Sequence, residues 1–195
     1  EASSGRNNVT NGRASKAVRW ESIPQHDSTT TDDANDTTTT IVPISAYGGS
    51  YGPITKLHTT SEISSAKWHK KGDYFVTVSP KAGAASVLIH QLNKANSQQP
   101  FKKTKGSGRE VQSACFHPSK PFLFVCGKQD IRIYHLVKQA MVKRLISGCR
   151  WISSIDVHVS GDHVIAGSLD RRMVWFDLDL SSTPYKTLKY HEKAL

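Results

Sequence analysis

The sequence predicts an all-β chain, an incomplete WD-repeat β-propeller of about three blades preceded by a disordered segment. Three observations predict it. A pattern starts at His58, Gly106 and Ser147 and again at His191, giving units of 48, 41 and 44 residues. Each unit holds short β-branched and aromatic runs separated by Gly, Pro, Asp and Ser turns, and a period in the forties with four short strands is the signature of a propeller blade. Finally, Gly167-Ser168-Leu169-Asp170, followed by Met173-Val174-Trp175-Phe176-Asp177-Leu178, has the small-Ser-x-Asp turn and aromatic-Asp strand ending of such a repeat.

Residues 1–40 are rich in Ser, Thr, Asn and Asp and end in the Thr37–Thr40 run. No helical or strand period is visible there, and such a segment buries too little apolar surface to offset its ordering entropy, so it reads as a disordered linker or insertion. Trp20 within it reads as a minor anchor. Residues 41–195 read as the partial propeller. Ile41-Val42-Pro43-Ile44 suits a short edge strand, because Pro43 cannot donate to a central ladder, and Gly48 to Gly52 suits a flexible turn.

The blades are expected over 58–105, 106–146 and 147–190, with a further one starting at His191. Ten residues after each start a first strand ends, at Trp68, Phe116 and Val157. Each is followed by a histidine and a turn: His69 to Asp73, His117 to Pro121 and His158 to Asp162. Second strands are expected over Tyr74–Val78, Phe122–Cys126 and His163–Ala166. Third strands end in Ile89-His90-Gln91-Leu92, Ile133-Tyr134-His135-Leu136 and Trp175-Phe176-Asp177-Leu178. Outer strands fit around Phe101, Val142–Leu145 and Tyr185–Leu188. Propellers close with about four to eight blades. Three leave sheet edges open, so the chain is expected to continue beyond Leu195.

The hydrophobic fraction, 37%, is low and agrees with an unpacked segment. No apolar run approaches the length of a membrane span, no leader sequence is visible, and no membrane role is expected. Cys115, Cys126 and Cys149 lack metal-knuckle spacing and are odd in number, so they read as reduced thiols. Residues 1–62 carry five Lys/Arg and seven Asp/Glu, whereas 63–195 carry 21 and nine, a net of +12. So basic a folded part attracts polyanions, nucleic acid foremost.

No P-loop, nucleophile elbow or His-Glu-x-x-His is present, so neither an enzymatic activity nor a cofactor is expected. His69, His117 and His158 occupy equivalent repeat positions. Metal ligands converge on one point while repeat-equivalent residues are spread around a ring, so these read as turn-holding groups and no metal site is expected. By the same logic Asp170 is a turn residue and Asp177 a strand-end partner for backbone or histidine, not an acid/base pair. The basic clusters are the functional lead: Lys102, Lys103, Lys105 and Arg109 between glycines, Lys143 and Arg144 on an outer strand, Arg171 and Arg172 on a turn. They suit phosphate contacts, with salt-sensitive affinity and little sequence reading. The aromatics read mostly as core, so no base-stacking platform is expected.

The runs Trp68-His69-Lys70-Lys71-Gly72-Asp73-Tyr74-Phe75, Val87 to Leu92, Pro100-Phe101, Phe116 to Phe122, Trp175 to Ser181 and Pro184-Tyr185-Lys186 with His191 resemble the Block-of-proliferation/Erb family of ribosome biogenesis proteins. The likeness covers residues 57–195 in order. Val159 departs from it, standing where a Pro usually follows His158. The resemblance implies a seven-bladed C-terminal propeller, here in part. It also implies a non-enzymatic scaffold of the nucleolus and nucleoplasm that acts in large-subunit assembly and ribosomal RNA precursor processing. The implied partners are a Pescadillo-type protein and a second WD-repeat protein in a trimeric complex, with pre-ribosomal RNA in large-subunit precursor particles. The rival is a peptide-binding propeller adaptor of a chromatin or ubiquitin-ligase complex, indifferent to RNA.

Overall fold

The computed structural model describes residues 17–23, 54–100 and 111–193. Three antiparallel four-stranded sheets follow one another along the chain. The first comprises β3 (Ser65–Trp68), β4 (Tyr74–Val78), β5 (Val87–Gln91) and β6 (Asn96–Gln98). The second comprises β7 (Ser113–Phe116), β8 (Phe122–Cys126), β9 (Asp130–His135) and β10 (Ala140–Ile146). The third comprises β11 (Ile152–Val157), β12 (His163–Ser168), β13 (Met173–Asp177) and β14 (Lys186–Leu188). In every sheet the spatial order is the chain order, an up-and-down meander that is the blade of a propeller. The first strands end at Trp68, Phe116 and Val157, at the ends read from the repeat.

The core lies between the sheets. β8 reads Phe-Leu-Phe-Val-Cys with Leu123, Phe124, Val125 and Cys126 all buried, a continuous apolar run, because the middle blade is covered on both sides. Leu123 and Val125 meet Val76, Val78 and Ile89 of the first blade. Phe124 and Cys126 meet Ile155, Val164, Ala166 and Phe176 of the third. Along β12 burial alternates: Val164 and Ala166 join the core shared with the second blade, and the apolar Ile165 between them is 45% exposed on the side where no further sheet follows among the described residues. Each fully buried Phe of this core contributes about 3–5 kcal/mol against Ala.

Three readings are corrected. Within the segment expected to be disordered, Val18–Ile23 form β1, paired antiparallel with β2 (Ile54–Thr59) from Val18 opposite Thr59 to Ile23 opposite Ile54. Trp20 is no isolated anchor: it packs edge-on to Phe75 and His90, with ring centroids 6.2 and 6.0 Å away, and joins Val18 and Leu57 against Leu88. The strand escapes a composition reading because it is six residues long and its hydrogen-bonding partner lies beyond a polar insertion of about thirty residues, far outside any local window. His58, the start assigned to the first unit, accordingly lies in β2, and the sheet of the first blade begins at Ser65. The remainder of 1–40, the Ile41–Ile44 strand, the Gly48–Gly52 turn and Phe101 lie outside the described residues.

Candidate nucleic-acid interface

At one end of the blades three connections come together: the β8–β9 turn (127–129), the β10–β11 link (147–151) and the β12–β13 turn (169–172). Backbone groups stitch them. Ile152 N–H donates to the Lys128 carbonyl (2.7 Å), Ser147 N–H to Gln129 (3.2 Å) and Leu169 N–H to Trp151 (2.9 Å). The Ser147 hydroxyl donates to the Gln129 carbonyl (2.8 Å) and accepts the Cys149 N–H (3.1 Å). Loops held this way keep their side chains in fixed places, as a binding face requires.

Asp170 is the only carboxylate of these three connections, against Lys128, Arg150, Arg171 and Arg172. Its carboxylate takes the Ser168 hydroxyl and the Arg150 N–H (3.3 Å) and lies 3.5 Å from Arg172 Nε. Burial works against its charge, yet these donors outweigh burial and hold the carboxyl below its ordinary range. Arg172 also donates to the Gly148 carbonyl (3.4 Å). Arg171 stands exposed at φ 64°. Trp151 is 41% exposed, with the Lys128 ammonium 4.5 Å from its ring centroid.

Of the described residues read as phosphate contacts, only Arg171 and Arg172 stand on this face. Arg144 Nε lies 2.5 Å from Asp130, a buried carboxylate that also takes Arg132 Nε at 3.1 Å. Lys143 donates to the Leu178 carbonyl. Both therefore serve as ties within and between blades, with Arg144 keeping an exposed flank. Lys102, Lys103, Lys105 and Arg109 lie outside the described residues. Lys128, Arg150 and Trp151 escaped the sequence reading. The signal was the Arg150-Trp151 pair just ahead of a first strand, a connection position where the core does not require an aromatic.

The repeat histidines sit at the opposite end, in the turns after the first strands. In each the histidine N–H pairs with the start of the second strand, at Tyr74 (2.8 Å), Phe122 (2.9 Å) and His163 (2.9 Å). Each ring Nδ1 accepts a turn N–H, from Lys71 (3.3 Å), from Ser119 and Lys120 (3.1 and 2.9 Å), and from Ser160 (3.3 Å). Accepting at Nδ1 requires the neutral ring. Burial first, then Lys71 and Lys120, pull His69 and His117 below the usual imidazole range. Asp177 Oδ1 accepts the N–H groups of Asp179 (3.0 Å) and Leu180 (3.3 Å), and its other oxygen is 3.9 Å from His163 Nδ1, beyond hydrogen-bond reach. Among the described residues no group of His, Cys, Asp and Glu is arranged to hold a metal ion. The three thiols are free and buried, and burial raises Cys115 to about 12.

Meander blades, a shared inter-blade core and a stitched basic loop face define a WD-repeat-type propeller segment. No family model matches the chain. Curated proteins do. The chain is 58% identical over 132 residues to ribosome biogenesis protein ERB1 of Malassezia globosa, covering 66% of this chain and 15% of that protein. It is 56% identical over 133 residues to ERB1 of Saccharomyces cerevisiae, covering 68% and 16%. To erb1 of Schizosaccharomyces pombe it is 55% identical over 137 residues, covering 70% and 18%. The chain belongs to the ERB1 family of ribosome biogenesis proteins, and it spans less than a fifth of the length of these relatives.

Proposed function

We propose that the full-length protein is a non-enzymatic scaffold in assembly of the large ribosomal subunit and processing of its RNA precursor. The observation that carries this reading is the identity of 55–58% over 132–137 residues to proteins named for ribosome biogenesis. The propeller supplies a rigid ring on which partners are held, a Pescadillo-type protein and a second WD-repeat protein in one trimeric complex of the nucleolus and nucleoplasm. Basic loops grip the phosphates of precursor RNA. The charge asymmetry supports this, as does the loop face with four cations and one carboxylate already occupied by its own neighbours.

Phosphate gripping predicts affinity that falls as salt rises, by a log–log slope of about 0.7 per contact on a single strand. Reversing Lys102, Lys103 and Lys105 to Glu in the full-length protein should weaken RNA binding and flatten that slope, measured by filter binding across a salt series. Unchanged binding and slope would remove that cluster from the interface. Complexes that survive ribonuclease intact, with no RNA affinity at low salt, would favour the peptide adaptor instead.

A further inference from the structure

Phosphate gripping leaves one prominent feature of the loop face without a use, the exposed indole of Trp151. We infer that Trp151, with Lys128 over its ring and Arg150 and Arg171 on the same loop face, is a stacking site for an unpaired base of single-stranded RNA, an assignment that rests on the RNA-binding reading and adds a chemistry to it. The indole sits on a connection whose backbone is held on both sides, by Ile152 N–H on the Lys128 carbonyl and Leu169 N–H on the Trp151 carbonyl. It is thus an exposed aromatic on a rigid support. Stacking platforms need that pairing, since a floppy ring loses on ordering what it gains on contact.

The π system is accessible to a polar ligand. The indole is 41% exposed, and the Lys128 ammonium lies over its ring, 4.5 Å from the centroid. A cation over an indole is attracted by the ring's electron-rich face, and the same cation lies within reach of the phosphate of a nucleotide stacked there. Arg150 and Arg171 are exposed, and among the described residues neither guanidinium is held by a hydrogen bond or ion pair. The one carboxylate within the three connections, Asp170, is occupied by Ser168, the Arg150 N–H and Arg172. An aromatic ring on a face with two guanidinium groups that no described neighbour holds fits a ligand that is anionic and planar at once, which is a nucleotide. The base must be unpaired, because in duplex RNA its faces are covered by its neighbours.

The test separates bases from phosphates. The full-length protein is titrated with a fluorescein-labelled unstructured RNA of about twelve nucleotides and with an abasic strand of the same length. The wild type should bind the base-bearing strand roughly tenfold more tightly, Trp151→Ala should erase that preference, and Trp151→Phe should keep most of it and control for folding. Arg150→Gln with Arg171→Gln should weaken both strands alike and lower the salt slope. Equal binding of the two strands by the wild type, or a preference that survives Trp151→Ala, overturns the stacking site while leaving RNA binding in place. Failure of the wild type to bind either strand at low salt overturns the RNA reading itself. RNA binding unchanged in Trp151→Ala, with loss of a ribonuclease-resistant protein partner, makes the indole a protein contact and overturns the site.

Discussion

Gly161 and His90 show how single side chains set the geometry of the blades. Gly161 sits in the turn after β11 at φ 89°, and a Cβ placed there would lie 2.2 Å from the His117 ring of the preceding blade. Gly161→Ala therefore meets both a left-handed backbone and a clash, and should cost about 2–4 kcal/mol by denaturant titration of the full-length protein. His90 is fully buried with both ring nitrogens engaged, Nδ1 at 2.8 Å from Ser97 Oγ and Nε2 at 2.7 Å from Thr77 Oγ1. The Trp20 indole N–H donates to Ser97 Oγ at 2.7 Å. Ser97 Oγ can accept from Trp20 and still pair with His90 Nδ1, and Thr77 Oγ1 pairs with Nε2, so one neutral ring bridges both hydroxyls. Burial holds His90 at about 4, below its ordinary 6.5. The unfolded chain takes up this proton first, so the stability that neutral His90 provides is complete above pH 6.5. It is lost as pH falls toward 4. The loss should approach about 3 kcal/mol, read as a falling urea midpoint between pH 7 and pH 4, and should be absent in His90→Gln.

At the scale of the element, that chain of hydrogen bonds fastens the β1–β2 sheet to the first blade. Ser97→Ala would leave the Trp20 N–H and the His90 ring each short of a partner, at a cost of about 2 kcal/mol. Hydrogen–deuterium exchange should then accelerate in β1 and β2 while β8 and β9 stay protected. Uniform acceleration in all strands would contradict a local clasp. This element also marks what the sequence could convey. Eleven of the twelve blade strands were legible because each unit repeats the same strand–His–turn–strand order; the outer strand of the first blade, expected around Phe101, is instead the polar β6 at Asn96–Gln98. β1 has no repeat to betray it, and its partner lies across the polar insertion. The loop face was half legible. Arg171 and Arg172 were marked by charge, whereas Lys128, Arg150 and Trp151 became one patch only through the backbone bonds that join three connections distant in sequence.

For the whole molecule, the same three blades that bury a core between them present different chemistry at their two ends. One end has histidine-held turns, the other cationic loops with an exposed indole. The Lys67 ammonium reaches the Ile155 carbonyl, tying the first blade to the third past β7. Lys67→Met should therefore loosen the packing of all three blades together, seen as a lower unfolding midpoint with no change in the salt slope of RNA binding. The central claim, that this family member works as a scaffold on precursor RNA, is tested most directly by tagging the full-length protein in its own cells. It would be sedimented on a sucrose gradient with and without ribonuclease. Co-migration with large-subunit precursors that collapses on ribonuclease treatment is the expected result. Migration as a small complex, the same with and without ribonuclease, would contradict it.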